Sequence, residues 1–520
     1  MRSPAVDGRI RRESLPHPAQ PLWLALHLPQ LSLEAFAASL PAGAAAGPLA
    51  LQSGHRLTAV NEAAARQGLQ PGQRRATALA QVPGLRLGQA DPARDAQALQ
   101  AVAHEAQVFT PSVTLDGADT VLLEVSTCLR YFASAERILL ALQQAVTALG
   151  HQPRVAAAPT ATGAALLARW GPGFTQGPHR SSLPALQSLL DEAPVTLLEA
   201  AREHAELLQG MGLQRLGALR RLPRAGLARR LGERLLDELD RARGERPDPR
   251  RWVVPAETFS ARLELPVRAD RSEQVLHGAE VLLGRLVSWA RARRGRIAAF
   301  TLAMDHEPRH RDTQPPSTEL HVALSEPSRD GGHLAGLLRE RLAHCTLPAP
   351  TLALRLHSGA PVPGDPPGDE LFASAAREQE GLAKLLDRLR ARLGEGGVLQ
   401  LQPVPDHRPE RATRGRPAGP ATPSPPAAPP RVPAARQLPG WLLPQPQPLA
   451  ERGLSPQLDG RELQLLAGPQ RLEIGWWDGA PATRDYFIAQ AHDGALVWLF
   501  RVRLPGDAQG HGWFLHGRFG

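Results

Sequence analysis

Leu22, Leu24, Leu26 and Leu28 alternate with Trp23, Ala25 and His27. That period of two is a strand's, and because both sets are mostly apolar the strand is expected inside a sheet, covered on both faces. Thr120-Val121-Leu122-Leu123-Glu124-Val125 predicts a second strand, and the span between the two holds a helical block with Asn61 to Arg66 and Ala76 to Gln81. Ala135 to Leu149 and Thr160 to Arg169 have the spacing of amphipathic helices, flanking a short strand at Arg154 to Ala158. Residues 21–190 therefore predict an α/β or α+β region. Residues 1–20 mix Pro, Arg and Ser without apolar periodicity and predict a disordered leader.

The pattern changes in residues 191–250. From Leu207 to Arg243 short leucine-bearing helices are broken by Gly210, Gly212, Gly217, Pro223 and Gly226. Paired helices with a tight hairpin present backbone N–H groups to phosphates, although an ordinary helical connector would show the same pattern. Residues 251–404 return to mixed structure. Strands are expected near Ala261 to Leu265, Ile297 to Met304, Glu319 to Leu324 and Thr351 to His357, with helices at Ser272 to Arg293, His333 to Ala343 and Gln379 to Leu393. Residues 405–436 are dense in Pro, Arg, Ala and Thr without an apolar stripe and predict a flexible linker. Residues 437–520 regain Trp441, Trp476, Trp477, Trp498, Trp513 and Phe514, with Asp-Gly turns at Asp478-Gly479 and Asp493-Gly494, so a small antiparallel sheet is expected there.

A chain of 520 residues exceeds a single ordinary domain. Lys plus Arg outnumber Asp plus Glu by 60 to 51, a net charge of +9 that favours a polyanionic partner without demanding one. Lys384 is the sole lysine; arginine suits bidentate phosphate contacts, but a bias toward GC-rich codons is the better account of the preference. Cys128 and Cys345 stand far apart, outside any Cys/His cluster, so neither a disulfide framework nor a zinc site is supported, and a reducing cytoplasm is expected. The apolar run Leu22 to Leu28 is too short to span a membrane.

Five segments in order resemble the ImuB branch of Y-family DNA polymerase homologues. They are Leu22-Trp23-Leu24-Ala25-Leu26-His27-Leu28-Pro29-Gln30-Leu31, Pro405-Asp406-His407-Arg408-Pro409-Glu410-Arg411, Trp441-Leu442-Leu443-Pro444, Gly475-Trp476-Trp477-Asp478-Gly479, and Trp513-Phe514-Leu515-His516-Gly517. The resemblance implies an α+β multidomain chain with the right-hand arrangement of palm and fingers (21–190), helix-hairpin-helix thumb (191–250) and little finger (251–404), followed by a small β-rich C-terminal module (437–520).

Nucleotide addition in such a fold needs two Mg²⁺ ions held by carboxylates. By the resemblance, the first metal-binding Asp falls at His27, a nearby acidic position at Pro29, and the later Asp-Glu pair at Asp119-Thr120. Imidazole prefers softer metals and proline has no donor, so one carboxylate of the set remains. Glu124 has opposite parity from Asp119, and Asp116 is the other nearby acid, expected in a turn. The fingers positions where active relatives carry Tyr and Arg fall at Glu62 and Ala65. No metal site or cofactor is expected; His306 with His310, and His511 with His516, lack a third ligand at sensible spacing.

The resemblance implies four partners: primer-template DNA, a sliding clamp, a RecA-like accessory protein and an error-prone replicative-type polymerase. Leu371-Phe372, or Gln437-Leu438 with Trp441-Leu442, are the segments closest to a clamp-binding peptide. DNA contacts are expected from Arg220, Arg221, Arg224, Arg229 and Arg230 in the hairpin region, and from Arg291, Arg293, Arg294 and Arg296 further on. Trp476, Trp477, Trp513 and Phe514 are partner-binding candidates that are equally able to be core. The leading expectation is a catalytically silent DNA-binding adaptor in damage-induced translesion synthesis. The alternatives are a low-activity translesion polymerase and a structure-specific DNA-binding protein without polymerase partners.

Overall fold

The computed structural model describes residues 21–41, 46–171, 182–308, 316–364, 375–418, 438–503 and 512–520. The expected leader, His310, His511, Leu371, Phe372, Gln437 and residues 419–436 of the expected linker lie outside them. The chain divides into two compact units, Met1–Arg392 and Leu393–Gly520.

In the first unit, strand Trp23–His27 is central in an antiparallel sheet whose order is Val113–Asp116, Thr120–Glu124, Trp23–His27, Arg154–Ala158. The period-two pattern sorts its side chains between two cores. Leu24, Leu26 and Leu28 pack with Val102, Ile138 and Leu142 under helices Pro92–Ala106 and Ala135–Ala148. Ala25 faces the opposite core with Leu166, Leu167 and Leu186. Each leucine so buried contributes about 2 kcal/mol.

The span expected to be helical also holds a three-stranded sheet, in the order Arg56–Val60, Leu49–Ser53, Arg86–Gln89. Neither Leu49–Ser53 nor Arg86–Gln89 contains a β-branched or aromatic residue to mark it as a strand. Helix Pro92–Ala106 announces itself in sequence by Asp91-Pro92: the Asp91 carboxylate accepts from the N–H groups of Ala93 and Arg94, and proline opens the first turn.

Short helices Ala205–Gly210, Leu216–Arg220, Arg224–Leu231 and Glu233–Ala242 follow, the last two separated by Gly232 at φ 82°. Their leucines 216, 219, 227, 231, 235 and 239 join the same buried cluster as Leu166 and Leu167. Beyond them an antiparallel sheet runs Ser317–Ser328, Gly295–His306, Thr351–Ser358, Phe259–Ala269. Helices Ser272–Ala292 and Gly331–Ala343 cover it through Leu282, Leu286, Leu334 and Leu338, and helix Ala375–Leu393 follows the last long strand. Among the described residues no helix is long and apolar enough to cross a membrane.

The second unit holds a hairpin, Leu399–Pro403 with Thr413–Pro417, and a seven-stranded sheet. The sheet order is Arg461–Glu462, Ser455–Leu458, Trp441–Arg452, Trp513–Arg518, Leu496–Val502, Ala482–Gln490, Gln464–Ile474. Residues 405–418, expected as the start of a linker, are instead folded: Pro409–Arg411 is a turn of 3-10 helix and Thr413–Pro417 is paired. Buried Arg408 donates to Asp406 at 2.7 Å, to Asp478 at 2.5 Å and to the Ala480 carbonyl at 3.0 Å. Composition treats these Arg and Pro residues as solvated because the carboxylate that buries Arg408 lies 70 residues away. Gly475, at φ 84°, is required there: a Cβ would meet the Ala480 carbonyl oxygen at 2.3 Å and Arg408 Nη1 at 2.7 Å.

His516, also in this unit, is fully buried, with Tyr486 Oη 2.9 Å from its Nδ1 and Trp498 stacked on its ring. Burial pushes the imidazole down from 6.5 to about 4, with Glu410 opposing and Arg484 assisting that shift. Between those values the unfolded ring binds a proton that the folded ring refuses, so stability falls as pH drops through that window. His516→Gln is expected to reduce the pH dependence of the urea midpoint between pH 6.5 and about 4; an unchanged slope would place the acid sensitivity elsewhere.

Candidate functional site

The antiparallel register sets His27, at the end of the central strand, opposite Thr120. Asp119 is fixed just ahead of that strand because its carbonyl accepts from the Leu28 N–H at 2.8 Å. The Thr120 hydroxyl donates to Asp119 Oδ1 at 2.8 Å, and His27 Nδ1 lies 3.3 Å from Thr120 Oγ1 and 3.5 Å from Asp119 Oδ1. His27, Asp119 and Thr120 thus meet; Pro29 is exposed in the following turn. Glu124 is at the far end of the same strand, opposite Trp23, about 13 Å along by strand rise. There it accepts from the N–H of Ser126 at 3.0 Å, which removes it from the His27 end.

Asp116, expected in a turn, is the last residue of strand Val113–Asp116. Arg169 Nη2 donates to its Oδ2 at 2.6 Å and Arg250 Nη1 to its Oδ1 at 2.7 Å. Arg169 also donates to Thr120 Oγ1 at 3.3 Å and lies 3.9 Å from Asp119 Oδ1. Arg250 continues to Asp248 and to Thr162 Oγ1, each at 2.7 Å, and Thr162 Oγ1 donates to Asp248 at 2.7 Å. Arg169 and Arg250 are the site residues that sequence reasoning misses. Arg169 ends an expected helix, but nothing local indicates that Arg250 reaches back 134 residues to Asp116.

Burial alone would raise both aspartates. For Asp116 the charges and hydrogen bonds of Arg169 and Arg250 outweigh it and hold the carboxyl below its ordinary range. For Asp119, burial is outweighed by hydrogen bonds from His27 and Thr120 and by the charges of His27 and Arg169. Both carboxylates are stabilised as anions by side chains already present.

These residues do not fit a pair of Mg²⁺ ions. Mg²⁺ requires several oxygen ligands in octahedral array, yet Asp116 has a guanidinium on each oxygen and Asp119 faces an imidazole. Among the described residues no group of three or more His, Cys, Asp or Glu side chains could hold a metal ion. The cleft beside Asp119 is lined by Pro29, Ser32, Ala59, Leu99 and Leu115, with Asp95 and Asp119 as its charged groups and no Arg or Lys among its described lining residues. A triphosphate there would meet negative charge. Glu62, at the expected fingers position, pairs with Arg66 one turn on, and Ala65 is exposed.

The DNA-binding candidates divide. Arg220 pairs with Asp191 at 3.1 Å, Arg224 grips Asp240 with contacts of 2.6 and 3.0 Å, and Arg291 reaches buried Glu105 at 3.3 Å. Arg296 is half-buried. Arg221, Arg229, Arg230, Arg293 and Arg294 are exposed and make no ion pair among the described residues. In the second unit Trp513 and Phe514 are buried, whereas Trp476 and Trp477 are 80% and 58% exposed at a turn. Leu438, Trp441 and Leu442 are exposed; Trp441 and Leu442 pair with Arg518 and Gly517 in the sheet.

Removing Arg250 would leave two half-buried carboxylates, Asp116 and Asp248, without the guanidinium between them. Arg250→Met is expected to lower unfolding free energy by about 3 kcal/mol near neutral pH. Because the Asp116 pKa is depressed, that loss should persist above the ordinary carboxylate range and shrink as pH falls through the lowered value. Urea denaturation at several pH values checks this; a pH-independent loss would mean Arg250 acts by packing alone.

Residues 33–169 match the model of the impB/mucB/samB family. Protein ImuB of Caulobacter vibrioides, from strain NA1000 / CB15N and again from strain ATCC 19089 / CB 15, is 30% identical over 480 residues, covering 87% of this chain and 100% of the relative. Among solved structures, a Dbh ternary complex is 15% identical, covering 66% of this chain and 99% of its own, with a TM-score of 0.38. DinB from Sulfolobus solfataricus is 16% identical, covering 66% of this chain and 100% of its own, with a TM-score of 0.36. Since the ImuB relative is 30% identical and the alignment covers 87% of this chain and the whole of that relative, the chain belongs to the ImuB family.

Proposed function

We propose that this protein is a non-catalytic adaptor that binds primer-template DNA and brings a sliding clamp, a RecA-like accessory protein and an error-prone polymerase together during damage-induced translesion synthesis. The observation that carries the non-catalytic part is the pair of guanidinium groups on Asp116, beside an Asp119 that faces His27. Charge that two divalent ions would supply in a polymerase is here supplied by side chains, and an arginine cannot orient an attacking hydroxyl and a leaving phosphate as a metal pair does.

DNA binding rests on the unpaired arginines. Arg221, Arg229 and Arg230 surround the turn and helix of the hairpin, and Arg293 and Arg294 directly follow helix Ser272–Ala292. Such cations track phosphates without reading sequence. For protein partners, the exposed Trp476-Trp477 pair sits on the turn anchored by Arg408 and Asp478, and rigid exposed aromatics of this kind serve as binding anchors. Leu371-Phe372 remains the favoured clamp segment and Gln437 to Leu442 the second.

The purified chain is expected to bind primer-template DNA but leave the primer unextended with either Mg²⁺ or Mn²⁺. Extension that Asp119→Ala abolishes would falsify the non-catalytic reading and establish a low-activity polymerase. In a salt titration, Arg229→Ala and Arg230→Ala should each reduce the slope of log affinity against log salt by about one; unaltered slopes would exclude both from phosphate contact. Replacing Leu371 and Phe372 by Ala should abolish clamp copurification, and an unchanged yield would pass the role to the second segment.

A further inference from the structure

From Leu382 onward, helix Ala375–Leu393 carries its apolar side outward. Leu382, Leu385, Leu389 and Leu393 are 57%, 53%, 37% and 58% exposed. With half-buried Leu386 they fall within one stripe about 100° wide. The inward side is small and polar: Ala383, Asp387 and Ala391 are buried. Asp387 accepts from the Ser325 N–H at 2.8 Å and lies 3.2 Å from His333 Nε2, and Arg390 donates to Ser325 Oγ at 3.1 Å. Polar bonds fasten this helix to the sheet while its leucines face solvent, the reverse of an ordinary amphipathic surface helix. A contiguous stripe of this kind differs from singly scattered exposed leucines and marks an interaction site.

The charge around the stripe indicates its occupant. Between Leu382 and Leu393 the cations are Lys384, Arg388, Arg390 and Arg392, against the single carboxylate of Asp387, which is buried. Arg388 and Arg392 are exposed along one flank and make no ion pair among the described residues. A second copy of the chain would bring these cations against their like, whereas carboxylates would complement them.

We propose that the outward face of residues 382–393 docks an acidic amphipathic helix of a partner protein, with the leucines meeting its apolar stripe and Arg388 and Arg392 pairing with carboxylates on its rim. Its use does not depend on whether the His27–Asp119 site is silent.

The test uses the full chain and two fluorescein-labelled synthetic helical peptides of about 20 residues, each with leucines at helical spacing, one flanked by Glu and the other by Lys. Anisotropy should rise with the Glu peptide and not the Lys peptide, and binding should weaken with added salt. Leu385→Ala with Leu389→Ala should weaken it at least about tenfold without changing the melting temperature, since both side chains are exposed. Arg388→Glu with Arg392→Glu should exchange the preference to the Lys peptide. Failure of the Glu peptide to bind, equal binding of both peptides, or indifference to both double variants would overturn the proposal. So would a dimer in light scattering that the leucine variant dissociates, since the occupant would then be a second copy.

Discussion

Asp116 is held between Arg169 and Arg250, and through this contact three parts of the first unit share one electrostatic arrangement. The carboxylate belongs to an edge strand of the sheet, Arg169 to helix Ala161–Trp170, and Arg250 to the segment that leaves the hairpin helices. Each carboxylate oxygen has its own guanidinium, and Arg250 is itself balanced by Asp248. Buried ions are tolerable only when paired and hydrogen-bonded in good geometry, and this chain of contacts meets that condition without a metal. Its side effect is to draw positive charge close to Asp119 and away from any role in collecting divalent ions.

The same principle recurs where each unit places polar groups inside. Asp387 with His333 secures a helix whose leucines point outward. Glu105, buried in helix Pro92–Ala106, takes hydrogen bonds from Ser288 and Arg291 of helix Ser272–Ala292, which makes Arg291 a structural residue in this conformation. In the second unit Arg408 joins Asp406 to Asp478, and Glu410 contacts Arg484 and His516. The segments of family resemblance on either side of the linker therefore converge in one polar cluster. Arginines committed to such pairs are distinct from those left exposed, so a net charge of +9 overstates the cations available to a polyanion at some places and understates their clustering at others.

Much of the fold is legible in the sequence because its elements are long enough to show a period. Thr351–Ser358 is a strand where alternation predicts one and Arg154–Ala158 where a short apolar run does, and Ala135–Ala148 and Gly331–Ala343 are helices where apolar spacing does. Leu49–Ser53 and Arg86–Gln89 escape because neither contains a β-branched or aromatic residue and their parallel pairing joins segments far apart in the chain. Residues 405–418 escape because proline and arginine count as solvated until a distant carboxylate is brought beside them. Trp476 and Trp513 are the same residue type in similar surroundings in sequence, yet one is at a turn in solvent and the other inside the sheet.

Sequence alone determined which side chains stand where the two central strands meet: His27 at the end of one, with Asp119 and Thr120 at the start of the other. That follows because position along a strand and the chemistry of a side chain are local properties. Tertiary structure decided what surrounds Asp119 and Asp116, since the arginines arrive from residues 169 and 250 and only packing can bring them there. It also decided which cations remain exposed and which leucines face outward. Those are outcomes of pairing and burial, which depend on distant residues rather than on neighbours in the chain.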